Sequence, residues 1–237
     1  MKALFLSFRM FIWQIFKDRM LAAVCIAPVL SALFFRFGIP FVEKILCGYF
    51  QKTVILADYY LLFDLFLSLI TPYMLCFASA MVMLTEYDEN MVSYMAVTPV
   101  GKKGYIVSRL VFPAIISIFV SMFLMHWFSL TGWSFGMLLL TCSLTGILSI
   151  AIALLLFSFS HNRVEGMAMA KLSGLLMLGL PVPFFLLSDV QYSFLLLPSF
   201  WIAKFVMEKT ILFLLPAMIT VFTWIGLLYK MFDKKLM

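Results

Sequence analysis

From Leu110 to Ser160 the chain reads LVFPAIISIFVSMFLMHWFSLTGWSFGMLLLTCSLTGILSIAIALLLFSFS, 51 residues without Lys, Arg, Asp or Glu. About 20 apolar residues in a helix cross the roughly 30 Å hydrocarbon core of a bilayer. The stretch is therefore long enough for two spans, and Thr131-Gly132-Trp133-Ser134 supplies turn residues between them. This pattern predicts a helical hairpin within a membrane.

The composition extends this prediction to the whole chain. Hydrophobic residues make up 65% of the 237 residues and charged residues 12%, against about 25% charged in a soluble domain. We predict one all-α, polytopic membrane domain, because a helix satisfies its own backbone hydrogen bonds in lipid. Charge-poor stretches place six transmembrane helices at approximately 20–42, 62–85, 108–130, 135–159, 165–188 and 210–230. The uncharged stretch 190–203 contains Pro198 and is too short to cross, which predicts an external re-entrant segment.

The distribution of Lys and Arg predicts the orientation. Twelve fall on one predicted side of the membrane: Lys2, Arg9, Lys17, Arg19, Lys102, Lys103, Arg109, Arg163, Lys171, Lys230, Lys234 and Lys235. The other side has four, namely Lys44, Lys52, Lys204 and Lys209. Because cytoplasmic loops are enriched in Lys and Arg, both termini are predicted to be cytoplasmic. The basic residues are dispersed, so a nucleic-acid partner is not predicted.

Residues 1–19 predict an amphipathic helix that lies in the membrane interface before the first span. At 100° per residue, one half carries Leu4, Phe5, Phe8, Phe11, Ile12, Ile15 and Phe16, and the other half carries Lys2, Ser7, Arg9, Gln14, Lys17 and Asp18. A basic amphipathic helix of this kind binds at the level of the lipid headgroups. The alternative is an apolar helix with scattered charges.

A polar segment, residues 86–104, separates the second and third predicted spans. If Tyr87–Val97 is helical, Tyr87, Met91, Tyr94 and Met95 share one face, and Glu89, Asn90 and Ser93 share another. Pro99 ends this helix, because the residue before a proline avoids the helical region. Three turns of helix are not stable alone in water, so the helix needs a partner surface or the bilayer. A solvated loop is the alternative.

This order of elements resembles the membrane subunit of an ABC-2-type transporter, over essentially the whole chain. The resemblance rests on the entry helix, two spans, the segment from Glu86-Tyr87 through Thr98-Pro99 to Tyr105-Ile106-Val107-Ser108-Arg109, and four further spans. It implies that 86–104 is a coupling segment that docks on a separate ATPase subunit in a bacterial cytoplasmic membrane. The docking residues would be Glu86, Tyr87, Glu89, Met91, Tyr94 and Met95.

The residues of the chain agree with a division of labour between subunits. A phosphate-binding loop needs the pattern Gly-x-x-x-x-Gly-Lys-Ser/Thr, whereas Gly101-Lys102 is followed by Lys103 and preceded by Ala96 at the first glycine position. The four cysteines stand alone, and no carboxylate or nucleophile accompanies His126 or His161 at a useful spacing. We expect no enzyme activity, bound cofactor or metal in this chain. The resemblance implies ATP and Mg²⁺ on the partner ATPase, and a second copy of this permease or a related one.

The resemblance also implies export of small amphiphilic compounds, such as fluoroquinolones, antimicrobial peptides or lipid-like molecules. An ion-coupled secondary transporter is the main alternative, although such carriers usually have ionisable residues at the midplane. A sensor or assembly factor is a third. If the route follows the second and fifth spans, four residues are candidates to line it: Ser68, Tyr73, Cys76 and Ser79.

Two charges and two stripes of small residues lie within predicted spans. Arg36 and Asp64 either pair with each other, face a water-filled route or extend to the external surface. Small residues let helices approach closely in lipid. One stripe consists of Thr141, Thr145, Ser149 and Ala153, and the other, a candidate contact between two permease halves, consists of Gly166, Ala170 and Gly174.

Overall fold

The computed structural model describes residues 2–92, 94, 101–186 and 188–235, and every regular element in these ranges is helical. The α-helices are α1 (Lys2–Lys17), α2 (Arg19–Leu33), α3 (Ile39–Phe50), α4 (Tyr60–Asp88), α5 (Gly101–Ile106), α6 (Phe112–Phe128), α7 (Phe135–Phe159), α8 (Arg163–Ser173), α9 (Val182–Phe185), α10 (Pro198–Glu208) and α11 (Leu214–Lys235). Short π-helical turns, Phe34–Gly38 and Val107–Val111, join α2 to α3 and α5 to α6.

Five continuous helices in the described ranges are long and apolar enough to cross a membrane. They are Arg19–Phe50, Ala57–Asp88, Gly101–Phe128, Phe135–Phe159 and Ile211–Lys235. They correspond to the predicted spans 20–42, 62–85, 108–130, 135–159 and 210–230. The hairpin of Leu110–Ser160 is present, with its turn between Phe128 and Phe135.

The fifth predicted span, 165–188, is not one continuous helix. After α8 the chain tightens into a 3-10 helix at Gly174–Gly179, and α9 is only four residues long. Two causes lie in the sequence. Pro181 and Pro183 interrupt the backbone hydrogen bonds, and Gly179 lies where a side chain would overlap Ser199 and Phe200. This segment therefore packs closely on α10 as a broken helix.

The bundle has two ends, which we name by the chain segments they carry. The terminal face carries α1, the end of α4, α5 and the last turn of α11, which are linked by contacts such as Lys102–Asp233. The opposite face carries the loops near residues 51–59, 129–134 and 188–213. Helix Arg19–Phe50 has 32 residues, or about 48 Å, and is therefore longer than a bilayer core requires.

Helix α4 is the centre of the bundle. In its most apolar window 78% of residues are buried, against 17% in both Arg19–Phe50 and Ile211–Lys235, which are peripheral. The stripe from Thr141 to Ala153 on α7 is fully buried, and Ser149 Oγ lies 3.1 Å from Cys76 Sγ of α4. This stripe is a packing face, as predicted.

The second stripe is used largely inside the chain. A Cβ on Gly166 would overlap Leu84 and Met81 of α4, and the carbonyl of Ala170 accepts a hydrogen bond from Tyr73 Oη at 3.1 Å. Gly174 begins the 3-10 helix and has open space beside it. Since Gly166 and Ala170 contact α4, the prediction that they meet a second permease half is not supported.

The predicted external segment, 190–203, forms two short helices. A 3-10 helix covers Asp189–Phe194, and α10 continues past residue 203 to Glu208. Lys204 is only 4% exposed, and its ammonium donates to Tyr192 Oη at 2.7 Å. The Phe213 ring centroid lies 5.2 Å from the same ammonium. Glu208 Oε1, one turn further on, lies 3.7 Å from this ammonium, so the buried charge is held by a carboxylate, a phenol and aromatic faces.

Helix α1 is separate from the first span, Arg19–Phe50. The break between them is at Asp18. Phe11 and Ile15 pack inward, whereas Phe5, Trp13 and Phe16 are at least 64% exposed. The predicted apolar half is therefore divided between the bundle and the outer surface. The position of α1 in a membrane interface stays a prediction.

Candidate functional site: the ends of the polar segment

Glu86, predicted to dock on a partner, is buried. Its side chain is 1% exposed and forms a two-oxygen ion pair with Arg109, also 1% exposed. Arg109 Nη2 donates to Glu86 Oε1 at 2.6 Å, and Arg109 Nε donates to Oε2 at 3.0 Å. The prediction for Glu86 is therefore wrong as to its surface position. The carboxylate instead fixes the last turns of α4 to the start of the next span.

Arg109 also ties down the N-terminal helix. Its Nη1 donates to the carbonyl of Ser7 in α1 at 2.9 Å. Its guanidinium lies 5.2 Å from the Phe11 ring and 5.7 Å from the Tyr105 ring. A buried charge needs a partner and further hydrogen bonds to offset its desolvation. The Glu86–Arg109 pair has both, and it joins three parts of the chain at one point.

The end of α11 holds the same region from the other side. Tyr87 packs edge-on against Phe157, with ring centroids 5.6 Å apart, and Lys235 Nζ lies 4.8 Å from the Tyr87 ring. The Lys235 ammonium donates to the carbonyls of Phe157, at 2.5 Å, and Ser160. Tyr87 therefore packs within the chain but is only partly buried, and its docking role stays a prediction.

Between these anchors the chain turns before it becomes helical again. Helix α4 ends at Asp88, and Asn90 has a left-handed backbone with φ of 57°. Asn adopts this conformation more readily than most residues, which explains the turn. The predicted continuous helix from Tyr87 is therefore wrong. Glu89 and Tyr87 do not share one helix with Tyr94.

For some residues of the polar segment, the docking role stays a prediction. Met91, Val92 and Tyr94 are helical, Met91 is half-buried and Tyr94 is 72% exposed. Ser93, Met95 and the predicted helix end at Pro99 lie outside the described residues. Of the six predicted docking residues, Tyr94 and Glu89 are exposed, and the docking role of all but the buried Glu86 stays a prediction.

A cavity of about 310 Å³, which we call the terminal-face cavity, lies beside this turn. Its lining residues are Gln14, Lys17, Asp18, Leu21, Val82, Thr85, Glu89 and Arg163. Asp18 caps α2 by accepting from the backbone N–H of Met20 at 2.9 Å, and it pairs with Arg163 at 2.5 Å. The Arg163 guanidinium and the capped N–H groups lower the pKa of Asp18, so this carboxylate is ionised at neutral pH.

Arg36 and Asp64 do not pair with each other. Asp64 is fully buried and accepts from the backbone N–H of Leu130 at 2.8 Å, from that of Thr131 at 2.9 Å and from Trp133 Nε1 at 3.0 Å. Arg36 Nη1 donates to the carbonyl of Ser129 at 2.8 Å. Of the three alternatives, the ion pair is therefore absent: Asp64 and the exposed Arg36 attach separately to the turn between α6 and α7.

Replacing Asp64 by Asn is expected to destabilise this turn. The amide of Asn would place N–H groups against backbone N–H donors, leaving at least one buried donor without an acceptor, at a cost of about 1–3 kcal/mol. Thermal unfolding in detergent would measure the change. Asp58→Asn is the control, because Asp58 is an exposed carboxylate on the same face. Equal melting temperatures for both variants would contradict the role assigned to Asp64.

The four candidate pathway residues lie inside the bundle. Ser68, Cys76 and Ser79 are at most 1% exposed and Tyr73 is 9% exposed. Tyr73 Oη lies 3.0 Å from Ser173 Oγ, and Ser79 Oγ donates to the carbonyl of Arg109. Each contact joins α4 to a neighbouring element. Their role in a substrate route stays a prediction, and bulky substitutions there will also disturb packing.

The sequence reasoning missed Arg109 as the partner of Glu86, although a signal was present. One span ends with an acid and the next begins with an arginine on the same predicted side of the membrane. Adjacent spans are neighbours in most bundles, so opposite charges at facing ends can meet. For the buried cation Lys204 the sequence offered Glu208, four residues further on and 3.7 Å away, but not its nearer partner, the phenol of Tyr192.

Comparisons with known proteins identify a family for this chain. A family model described as fluoroquinolones export permease protein Rv2686c-like matches residues 11–232. The curated relatives include the fluoroquinolones export permease proteins Rv2686c and MT2760 of Mycobacterium tuberculosis. Each is 24% identical over 194 residues, which cover 80% of this chain and 75% of the relative. No solved structure matches the chain. Because the family model spans nearly the whole sequence, the protein belongs to the Rv2686c-like family of fluoroquinolones export permease proteins.

Proposed function

We propose that this chain is the membrane subunit of an ATP-driven ABC exporter, with fluoroquinolones as the first substrate class to test. The family match over residues 11–232 carries the proposal. A partner ATPase binds and hydrolyses ATP with Mg²⁺, since the chain has no phosphate-binding loop of its own. The permease contributes the route for the substrate and the surface on which the ATPase docks.

The arrangement of the polar segment supports this division of labour. The ion pair with Arg109 fixes the first residue of the segment, Glu86. Near the other end, Lys102 Nζ lies 2.8 Å from Asp233 Oδ1. Between them the chain presents exposed Glu89 and Tyr94. A rigid frame around an exposed segment transmits force from a docked ATPase to the spans. A solvated loop would not need the buried Glu86–Arg109 attachment.

We assign the terminal face to the cytoplasm. Twelve of the Lys and Arg residues belong to that side by sequence, against four on the other, and the positive-inside rule then places both termini in the cytoplasm. The ATPase would dock there. Helices Arg19–Phe50 and Ile211–Lys235 leave most of their apolar surface uncovered in one chain. This surface is available to lipid and to a second permease, either another copy or a related chain.

The test is transport in inverted membrane vesicles that contain the permease and the P-loop ATPase that co-purifies with it. We expect ATP-dependent uptake of norfloxacin, lost when the P-loop lysine of the ATPase is replaced by Ala. Uptake that follows an imposed proton or sodium gradient, without ATP and without an ATPase subunit, would identify an ion-coupled carrier instead. Absence of norfloxacin uptake under both conditions would remove fluoroquinolones as the substrate class.

A further inference from the structure

The terminal-face cavity has the size of a small-molecule site. Its volume of about 310 Å³ lies at the lower end of the range of roughly 300–1,000 Å³ for ligand pockets. It lies where α1, α2, α4 and α8 meet, with Leu21 and Val82 as apolar lining. A compact amphiphile with one apolar body fits this enclosure better than a long peptide does.

Four charged side chains face this cavity, and two of them neutralise each other. Asp18 and Arg163 form an ion pair at 2.5 Å. Glu89 and Lys17 remain, and neither forms an ion pair with any side chain in the described ranges. The ammonium of Lys17 lies 5.0 Å from the Trp13 ring centroid. The cavity thus offers one carboxylate and one ammonium to a ligand.

We propose that the terminal-face cavity receives the exported compound and selects amphiphiles that carry both an ammonium and a carboxylate. Glu89 binds the ammonium, Lys17 binds the carboxylate, and Leu21 and Val82 contact the apolar body. The inference rests on the proposed export function. It assigns the site at which the substrate enters, beside the first residue after α4 and therefore at the start of the polar segment.

The proposal predicts a pattern across three compounds of one chemical series. Norfloxacin carries both charges at neutral pH, its ethyl ester carries only the ammonium, and nalidixic acid carries only the carboxylate. Glu89→Gln is expected to weaken binding of norfloxacin and the ester about fivefold and leave nalidixic acid unchanged. Lys17→Gln is expected to weaken norfloxacin and nalidixic acid about fivefold and leave the ester unchanged.

The measurement is equilibrium binding to the full-length permease in nanodiscs of phosphatidylglycerol, without ATPase. Asp58→Asn and Lys52→Gln are matched controls, since both residues are exposed on the opposite face. Their affinities should equal that of the parent. Unchanged affinity for norfloxacin in both Glu89→Gln and Lys17→Gln would overturn the proposal, and so would an equal effect of either change on all three compounds.

Phosphatidylethanolamine carries the same two charges and is the competing source of this chemistry. If phosphatidylethanolamine displaces bound norfloxacin only when the lipid is in excess over norfloxacin, the result supports the proposal. If this lipid binds through Glu89 and Lys17 while norfloxacin does not bind, the cavity is a headgroup site and the proposal fails. The vesicle assay separates this failure from that of the export function. If norfloxacin is taken up with ATP but does not bind in this cavity, only the proposed binding site is refuted. If it binds in the charge-dependent way but is not taken up, only the proposed export function is refuted.

Discussion

Replacing Arg109 by Met is expected to destabilise the folded permease by about 3–5 kcal/mol, because it leaves Glu86 buried without its counter-charge. Both side chains are 1% exposed, so water cannot replace the lost contacts. The same change removes the bond from Arg109 Nη1 to the carbonyl of Ser7 and thereby releases α1. We expect most of the variant to aggregate when it is extracted in detergent.

Thermal unfolding followed by size-exclusion chromatography would measure the effect. The matched control is Arg163→Met, which removes an ion pair with Asp18 whose side chains are 30% and 25% exposed. An exposed pair contributes about 0–1 kcal/mol, so this control should remain monodisperse. The double variant Glu86→Gln with Arg109→Met should recover part of the loss, because no unpaired charge remains buried. Equal melting temperatures for Arg109→Met and Arg163→Met would contradict the assigned role.

The spans were predictable because apolar length is a local property of a sequence. The charge-free stretch Leu110–Ser160 became α6 and α7, and the fourth span was predicted at its observed bounds, Phe135–Phe159. The stretch 165–188 is similarly long but is not one helix. Pro181 and Pro183 are local helix breakers, whereas the close contact of Gly179 with Ser199 and Phe200 is a tertiary contact that local composition does not show.

The candidate site was predicted less well, since its residues meet over long separations in the chain. Glu86 belongs to a polar segment, but its orientation is set by the phase of α4, which turns it towards Arg109. Asp64 bonds to backbone N–H groups of Leu130 and Thr131. Backbone donors have no residue-type signal, so these partners were not among the three alternatives for Asp64, which were a pair with Arg36, a water-filled route and the external surface. A polar pattern thus located the region but not the direction in which each side chain points.

Truncating Tyr94 to Ala is expected to separate the permease from its ATPase without unfolding it. Tyr94 is 72% exposed and helical, and it follows the turn at Asn90. Tyrosines are frequent among the residues that dominate protein interfaces, where truncation costs 2 kcal/mol or more. That loss corresponds to about 30-fold weaker binding of the ATPase subunit. ATP-driven norfloxacin uptake should fall accordingly at a limiting ATPase concentration.

The control for this prediction is Tyr49→Ala, because Tyr49 is 81% exposed and belongs to α3, whose end lies at the opposite face. Affinity for the ATPase would be measured with purified subunits, and folding by the melting temperature, which should match the parent in both variants. Glu89 is less suitable, since it also lines the terminal-face cavity and its substitution would alter two properties together. Unchanged ATPase affinity and full ATP-driven uptake in Tyr94→Ala would show that the partner binds elsewhere. The fixed ends of the polar segment would then serve the stability of the bundle alone.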